Sequence, residues 1–173
     1  MAGTQRYVAF LRGVSPLNCK MAELQRALEQ GGFTSVKTVL SSGNALFMAR
    51  TTAEAALARR VEEAMNEHLG RSFFTQVRSV AYLRELLDAA PFERFQLAAD
   101  AKRVVTFLSE PPPRKLKLPV EVDGARILAT AGSAVFTAYV RSPKGPVFMT
   151  LLEKTFGKNI TTRTWDTVAK CAS

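Results

Sequence analysis

Apolar residues in the first eighty positions recur at two different spacings. The run Tyr7-Val8-Ala9-Phe10-Leu11 is short and rich in aromatic and β-branched residues, with Arg12-Gly13 and the turn-forming Ser15-Pro16-Leu17-Asn18 behind it. It predicts a largely buried strand. Met21, Leu24 and Leu28 then repeat at helical spacing against Glu23, Gln25 and Glu29, and Gly31-Gly32 supplies a stop. Val36-Lys37-Thr38-Val39-Leu40 alternates as a strand, Ser41-Ser42-Gly43-Asn44 is a turn signal, and Ala45-Leu46-Phe47-Met48 returns as the second arm of a hairpin. Thr51 and Glu54 have capping-box spacing and open a long helix through Leu57, Val61, Met65 and Leu69, closed by Gly70. Residues 73–80 give the last strand, and the order is βαββαβ.

The second half repeats this order less clearly. Residues 81–90 read as a linking helix with Tyr82, Leu83, Leu86 and Leu87 on one face, stopped by Pro91, and the polar segment 93–102 marks a boundary. A strand at 104–108 follows, then an irregular proline-rich stretch at 111–118 and hairpin strands at 125–130 and 134–140. Pro146 starts a helix carrying Phe148, Leu151, Leu152 and Phe156, which Gly157 ends; a short strand at 160–163 and a closing helix at 165–171 complete the chain. Val8-Ala9-Phe10-Leu11 and Val105-Thr106-Phe107-Leu108 are alike. The expected fold is α+β: two ferredoxin-like βαββαβ units, at 1–80 and 103–173 with a connector at 81–102, each an antiparallel sheet with helices packed on one face.

Composition narrows the function classes. With 47% hydrophobic and 23% charged residues, the 173-residue chain is globular rather than disordered or collagen-like. Lys and Arg number 24 against 15 acidic residues, a net charge of +9, which favours an anionic partner. The excess is spread, ten basic against six acidic side chains in residues 1–80 and fourteen against nine in the rest, so neither half is a basic arm. One histidine and two cysteines exclude most metal sites; Cys19 and Cys171 fit no zinc spacing, reduced thiols are expected, and no metal or cofactor is expected. No Walker loop, HExxH or CxxC is present. Residues 1–6 carry no secretion signal, and no apolar run approaches the ~20 residues that span a bilayer, so a cytoplasmic protein with no membrane partner is expected.

Split βαβ topology decides which loops meet. In the first half it brings Arg12 and Lys20 to the end of the sheet that holds the turn Ser42-Gly43-Asn44, where glycine permits the positive φ of an anion-cradling turn. In the second half it brings Arg141, Ser142 and Lys144 beside Arg163 and Trp165. There the amides opening the helix after Gly145 and an arginine fork suit phosphate or carboxylate, and Trp165 suits a stacked base. Plainer readings stand beside these. The first cluster is then an ordinary hairpin turn; in the second, Trp165 fills core space, Lys144 is solvated and Arg163 pairs with Asp166. Tyr7, Phe10 and Phe47 occupy the strands on which RNA-recognition sheets display aromatics, but no glycine-rich RNA-binding signature accompanies them. His68 stands alone near Glu67, Cys19 beside Lys20 reads as an ordinary thiol, and Glu62, Glu63 and Glu67 read as surface partners of Arg59 and Arg60.

Tyr7-Val8-Ala9-Phe10-Leu11-Arg12-Gly13-Val14, Met21-Ala22-Glu23-Leu24, Ser42-Gly43-Asn44 and Thr162-Arg163-Thr164-Trp165-Asp166-Thr167-Val168 together resemble the DUF1697 family of uncharacterised bacterial proteins. The resemblance implies two ferredoxin-like units and brings no reaction with it. The expected function is binding of an anionic, phosphate-bearing ligand such as a nucleotide or nucleic acid. The alternatives are an enzyme acting on a phosphorylated or carboxylated metabolite, with Arg12, Lys144 and Arg163 as electrostatic stabilisers, and a protein-interaction module.

Overall fold

The continuous apolar run at the start of the chain becomes the inner strand of a sheet. A computed structural model describes residues 3–173, so the first two positions of the segment read above for a targeting signal lie outside it. Strand β1 (Thr4–Leu11) lies between β3 (Asn44–Arg50) and β4 (Thr75–Ser79), with β2 (Thr34–Thr38) beyond β3, all antiparallel. Alternation sends Tyr7, Ala9 and Leu11 under the helices, where they pack with Leu24 and Leu28 of α1 (Met21–Gln30) and Leu57, Val61 and Met65 of α2 (Glu54–Leu69). Val8 and Phe10 take the other face and are completely buried as well. A strand covered on both faces needs apolar residues at every position, which is why β1 shows no alternation in the sequence.

The expected capping box does not form. Ala53 occupies the position before α2 and offers no side-chain acceptor. Thr51 Oγ1 instead donates to the Gly3 carbonyl, and Glu54 Oε2 accepts the backbone N–H of Ser79 at the end of β4. Glu62 is also redirected. Rather than pairing across the helix surface, it is half-buried and accepts the Thr75 N–H at 3.1 Å. Burial pushes its pKa up, opposed by that hydrogen bond. A carboxyl whose folded pKa is raised contributes stability below its unfolded pKa and loses it as pH rises through the folded value. Glu62→Gln keeps an acceptor and removes the titration, so the variant should gain stability relative to the parent as pH rises from about 4 towards 7. Urea unfolding across that range checks it; a difference independent of pH would show that the Glu62 carboxyl has the same pKa folded and unfolded.

The second sheet has the order β6-β7-β8-β5-β9, built from β5 (Lys102–Leu108), β6 (Val120–Val122), β7 (Ala125–Ala131), β8 (Ala134–Tyr139) and β9 (Ile160–Thr164), again antiparallel. Strands β7, β8, β5 and β9 repeat the order of the first sheet. The position of its first helix is taken by the proline-rich segment and by β6, a strand absent from the sequence reading. Asp123-Gly124 joins β6 to β7 as a two-residue turn with φ of 47° and 88°, the positive pair that a tight hairpin demands. Helix α4 (Val147–Phe156) begins after Pro146, which sits one residue before the helix rather than in its first turn. Leu152 of α4 packs with Leu108, Ile127, Val135 and Ile160 on one face of this sheet.

The repeat glimpsed at Val8 and Val105 extends across strands. Val8 pairs with Arg78 on β4 and with Leu46 on β3, while Val105 pairs with Arg163 on β9 and with Phe136 on β8. Each sheet thus carries a buried arginine at the same register position. The residues through Leu86, together with Ala169–Ser173, form one compact unit and Leu87–Val168 the other. The division falls within α3 (Val80–Asp88) and within α5 (Trp165–Ala172); Arg84 of α3 donates to the Ala172 carbonyl at 2.9 Å, which ties the end of α5 to the first unit.

Candidate functional site

The loop after β1 and the hairpin turn meet, because the backbone N–H of Leu11 donates to the Gly43 carbonyl at 2.9 Å. The turn is held from within: Asn44 is fully buried and its Nδ2 donates to the Val39 carbonyl and to Ser42 Oγ. Gly43 has φ of 90°, and a Cβ there would lie 2.9 Å from Val14 Cβ and 3.0 Å from Leu11 Cβ. Arg12 is half-buried, and Lys20 is exposed immediately before α1. The loop between them is also self-bonded, with Asn18 Nδ2 donating to the Gly13 carbonyl and Oδ1 accepting the Ser15 N–H. Seen closely, the turn that suggested an anion cradle has its asparagine amide engaged by its own backbone. Cys19 is buried, and burial followed by the charge of Glu23 pushes its thiol pKa up against the opposing pull of Arg71, which disfavours the nucleophilic thiolate. His68 lines a polar cavity of about 330 Å³ with Glu23, Arg26 and Gln30, 3.8 Å from Glu67.

In the second unit, Arg141, Ser142 and Lys144 separate from Arg163 and Trp165. Both strand ends do reach the same end of the sheet, Tyr139 opposite Lys102 and Thr164 opposite Val104 on β5. Side-chain direction then divides them, because one residue along a strand changes the face. Tyr139 lies on the α4 face, where its ring stacks on Phe148 at 4.3 Å. Arg163 aligns with Val105 and Phe136 on the opposite face, is 9% exposed, and donates from Nη1 to the Thr162 carbonyl at 2.8 Å. Trp165 belongs with it: its ring meets Phe92 edge-on at 5.1 Å and Phe136 at 6.3 Å.

What remains at the start of α4 is a cavity of about 340 Å³. Arg141, Ser142, Tyr139, Phe148, Met149 and Asp123 are among the residues that line it. Phe148 and Met149 lie in the first helical turn, whose amides have no carbonyl one turn earlier within the helix, and neither Pro146 nor any acidic residue caps them. Lys144 is drawn aside by Asp123, Nζ to Oδ1 3.0 Å, which leaves Arg141 as the cation lining this cavity. Asp123, Tyr139 and Phe148 were missed as site residues. Asp123-Gly124 between two apolar stretches was the available signal, since a two-residue turn there fixes where the aspartate stands.

The aromatics expected on an RNA-binding sheet are not displayed. Tyr7, Phe10 and Phe47 are all buried, Tyr7 stacking on Phe47 at 5.8 Å beneath the helices. Among the described residues no group of His, Cys, Asp and Glu is placed to hold a metal ion, and no helix is long and apolar enough to cross a membrane.

With this geometry in place, comparison assigns the class. Residues 4–136 match the DUF1697 family, described as proteins of unknown function, and the chain belongs to that family. The matched segment ends on β8, before the loop that carries Arg141, Ser142 and Lys144 and before the Thr162–Val168 segment. A solved structure, that of the conserved bacterial protein SP0830 from Streptococcus pneumoniae, is similar over 98% of both chains with a TM-score of 0.70 at 20% identity, a likeness of fold. No curated protein matches.

Proposed function

We propose that the protein is a cytoplasmic binder of a small phosphate-bearing ligand, a mononucleotide in class, held in the cavity at the start of α4. One observation carries the reading: Arg141, Ser142 and the uncapped first turn of α4 line a single cavity. A guanidinium fork and the Phe148 and Met149 amides both favour a phosphate dianion, and a helix N-terminus adds partial positive charge, while the Val147 N–H is taken by the Gly145 carbonyl at 2.8 Å. The cavity lies within the usual size range for small-molecule sites. The stacked Tyr139–Phe148 pair offers an aromatic wall to a planar base, and the Asp123 carboxylate offers acceptors to ribose hydroxyls or an exocyclic amine.

Calorimetric titration with AMP, adenosine and inorganic phosphate tests the reading. AMP should bind and raise the melting temperature, by the equivalent of about 2.7 kcal/mol at one hundred times its Kd. Adenosine should bind at least about tenfold more weakly, a difference of about 1.4 kcal/mol. Arg141→Ala should abolish the AMP preference while changing stability by less than about 0.5 kcal/mol, since Arg141 is exposed. Equal affinity for AMP and adenosine, or an unaltered preference in Arg141→Ala, refutes it. A single-stranded oligonucleotide binding more tightly than AMP in proportion to its length would assign the charge to nucleic acid instead.

A further inference from the structure

We infer that the loop end of the first unit's sheet binds double-stranded DNA from its minor groove, with Leu17 entering as a wedge between base steps. Among the described residues three large apolar side chains stand substantially exposed, and two of them are at this end, Leu17 at 98% and Leu40 at 47%. Three segments build it: the loop after β1, the turn between β2 and β3, and the loop before β4. They are joined where the Leu11 N–H donates to the Gly43 carbonyl, the Arg12 N–H to the Phe74 carbonyl at 2.8 Å, and Arg71 Nη1 to the Asn18 carbonyl at 2.9 Å. The tip is shaped before any partner arrives. Ser15 Oγ accepts the Leu17 N–H, the Ser15 carbonyl accepts the N–H groups of Asn18 and Cys19, and the Asn18 side chain ties the loop back to Gly13. A leucine held out by an already ordered turn loses little further freedom on binding. Leu40 has φ of 60°, a left-handed conformation that side chains of its size rarely adopt and that gathers at functional surfaces.

Charge selects the partner. Lys20 and Arg71 are exposed beside the tip, and among the described residues no carboxylate pairs with either. The bond from Arg71 goes to a neutral carbonyl and leaves its charge uncompensated. Residues 12–20, 38–44 and 70–75, which make up this end, contain no aspartate or glutamate. Of the acids around them, Glu62 is engaged by the Thr75 N–H and Glu23 lies in the first turn of α1. An apolar side chain with cations beside it is the arrangement by which minor-groove proteins unstack a base step while holding the phosphates. A single strand offers no stacked step to enter. A bilayer would gain too little from two leucines, since even one myristoyl chain gives marginal binding. The inference is independent of the AMP reading, because Leu17, Lys20 and Arg71 do not line the cavity that holds Arg141.

Titration of the full chain into a DNA duplex of about 20 base pairs, with 2-aminopurine replacing the adenine of a central TA step, tests the inference. The same sequence as a single strand and vesicles of phosphatidylglycerol serve as comparisons. The duplex should bind at least about tenfold more tightly than the single strand, and the 2-aminopurine should brighten as its step unstacks. Leu17→Ala should abolish the brightening and weaken duplex binding at least about tenfold with an unchanged melting temperature, since the side chain is almost fully exposed, whereas Leu17→Met should retain both. Lys20→Ala should lower the slope of log K against log salt by about 0.9, the share of one phosphate. All three variants should bind AMP as the parent does. Failure of the duplex to bind, equal binding of the single strand, or an undiminished response in Leu17→Ala overturns the inference. So does vesicle binding that Leu17→Ala abolishes, which would assign the tip to a lipid surface.

Discussion

Trp165→Ala should remove about 3 kcal/mol of stability, and Arg163→Ala about 2–3 kcal/mol, while the folded fraction of each variant binds AMP with the affinity of the parent. The indole is half-buried against Phe92 and Phe136, so truncation opens a hole in an aromatic cluster whose walls cannot easily collapse. Arg163 lies opposite Val105 inside a layer of apolar side chains, and its guanidinium bonds to the chain's own Thr162 carbonyl. Removing it strands the groups it satisfies and deletes the apolar packing of its stem. Trp165→Phe retains much of the area and should cost clearly less. Thermal unfolding with parallel titrations separates the two roles. Weakened AMP binding with an intact melting temperature would return Arg163 and Trp165 to the ligand site.

Gly43→Ala is expected to cost about 3 kcal/mol, where Gly132→Ala costs about 1–2. Both glycines have positive φ, 90° and 60°, so both substitutions meet left-handed strain. Only at Gly43 would the new methyl meet Val14 and Leu11 at or below 3.0 Å; around Gly132 nothing lies within 4 Å. The difference between the variants therefore isolates overpacking from backbone strain. Urea midpoints at constant m-value provide the measurement, and equal losses would mean that the Val14 loop yields freely.

The elements of the first unit were readable because each had a single dominant signal. Tyr7 to Leu11 announced a doubly covered strand, and Leu57, Val61 and Met65 marked the buried stripe of α2. Helix starts were less readable. Glu54 stands three residues after Thr51 in capping-box order, yet the Ser79 N–H at a strand end outcompetes the local bond. Tertiary partners of this kind leave no trace in spacing. The site divided for a similar reason: topology correctly placed the ends of β8 and β9 together, but Arg163 and Tyr139 differ in parity along their strands. Parity is hidden when both faces of a strand are buried, as Val135, Phe136, Thr137 and Ala138 on β8 are. Strand β6, three residues with Glu121 at its centre, gave no apolar run to read.

The missing crossover helix of the second unit divides the optical signals of the molecule. Helices of 10, 16 and 9 residues lie wholly or mainly in the first unit, against the 10-residue α4 in the second. Far-ultraviolet dichroism is thus weighted towards the first unit, whereas the single tryptophan, Trp165, emits from the second. Nature has supplied one spectroscopic channel per unit without labelling. Denaturation followed in both channels at once distinguishes a molecule that melts as one cooperative block from one that comes apart in halves, because only in the first case do the two curves superimpose.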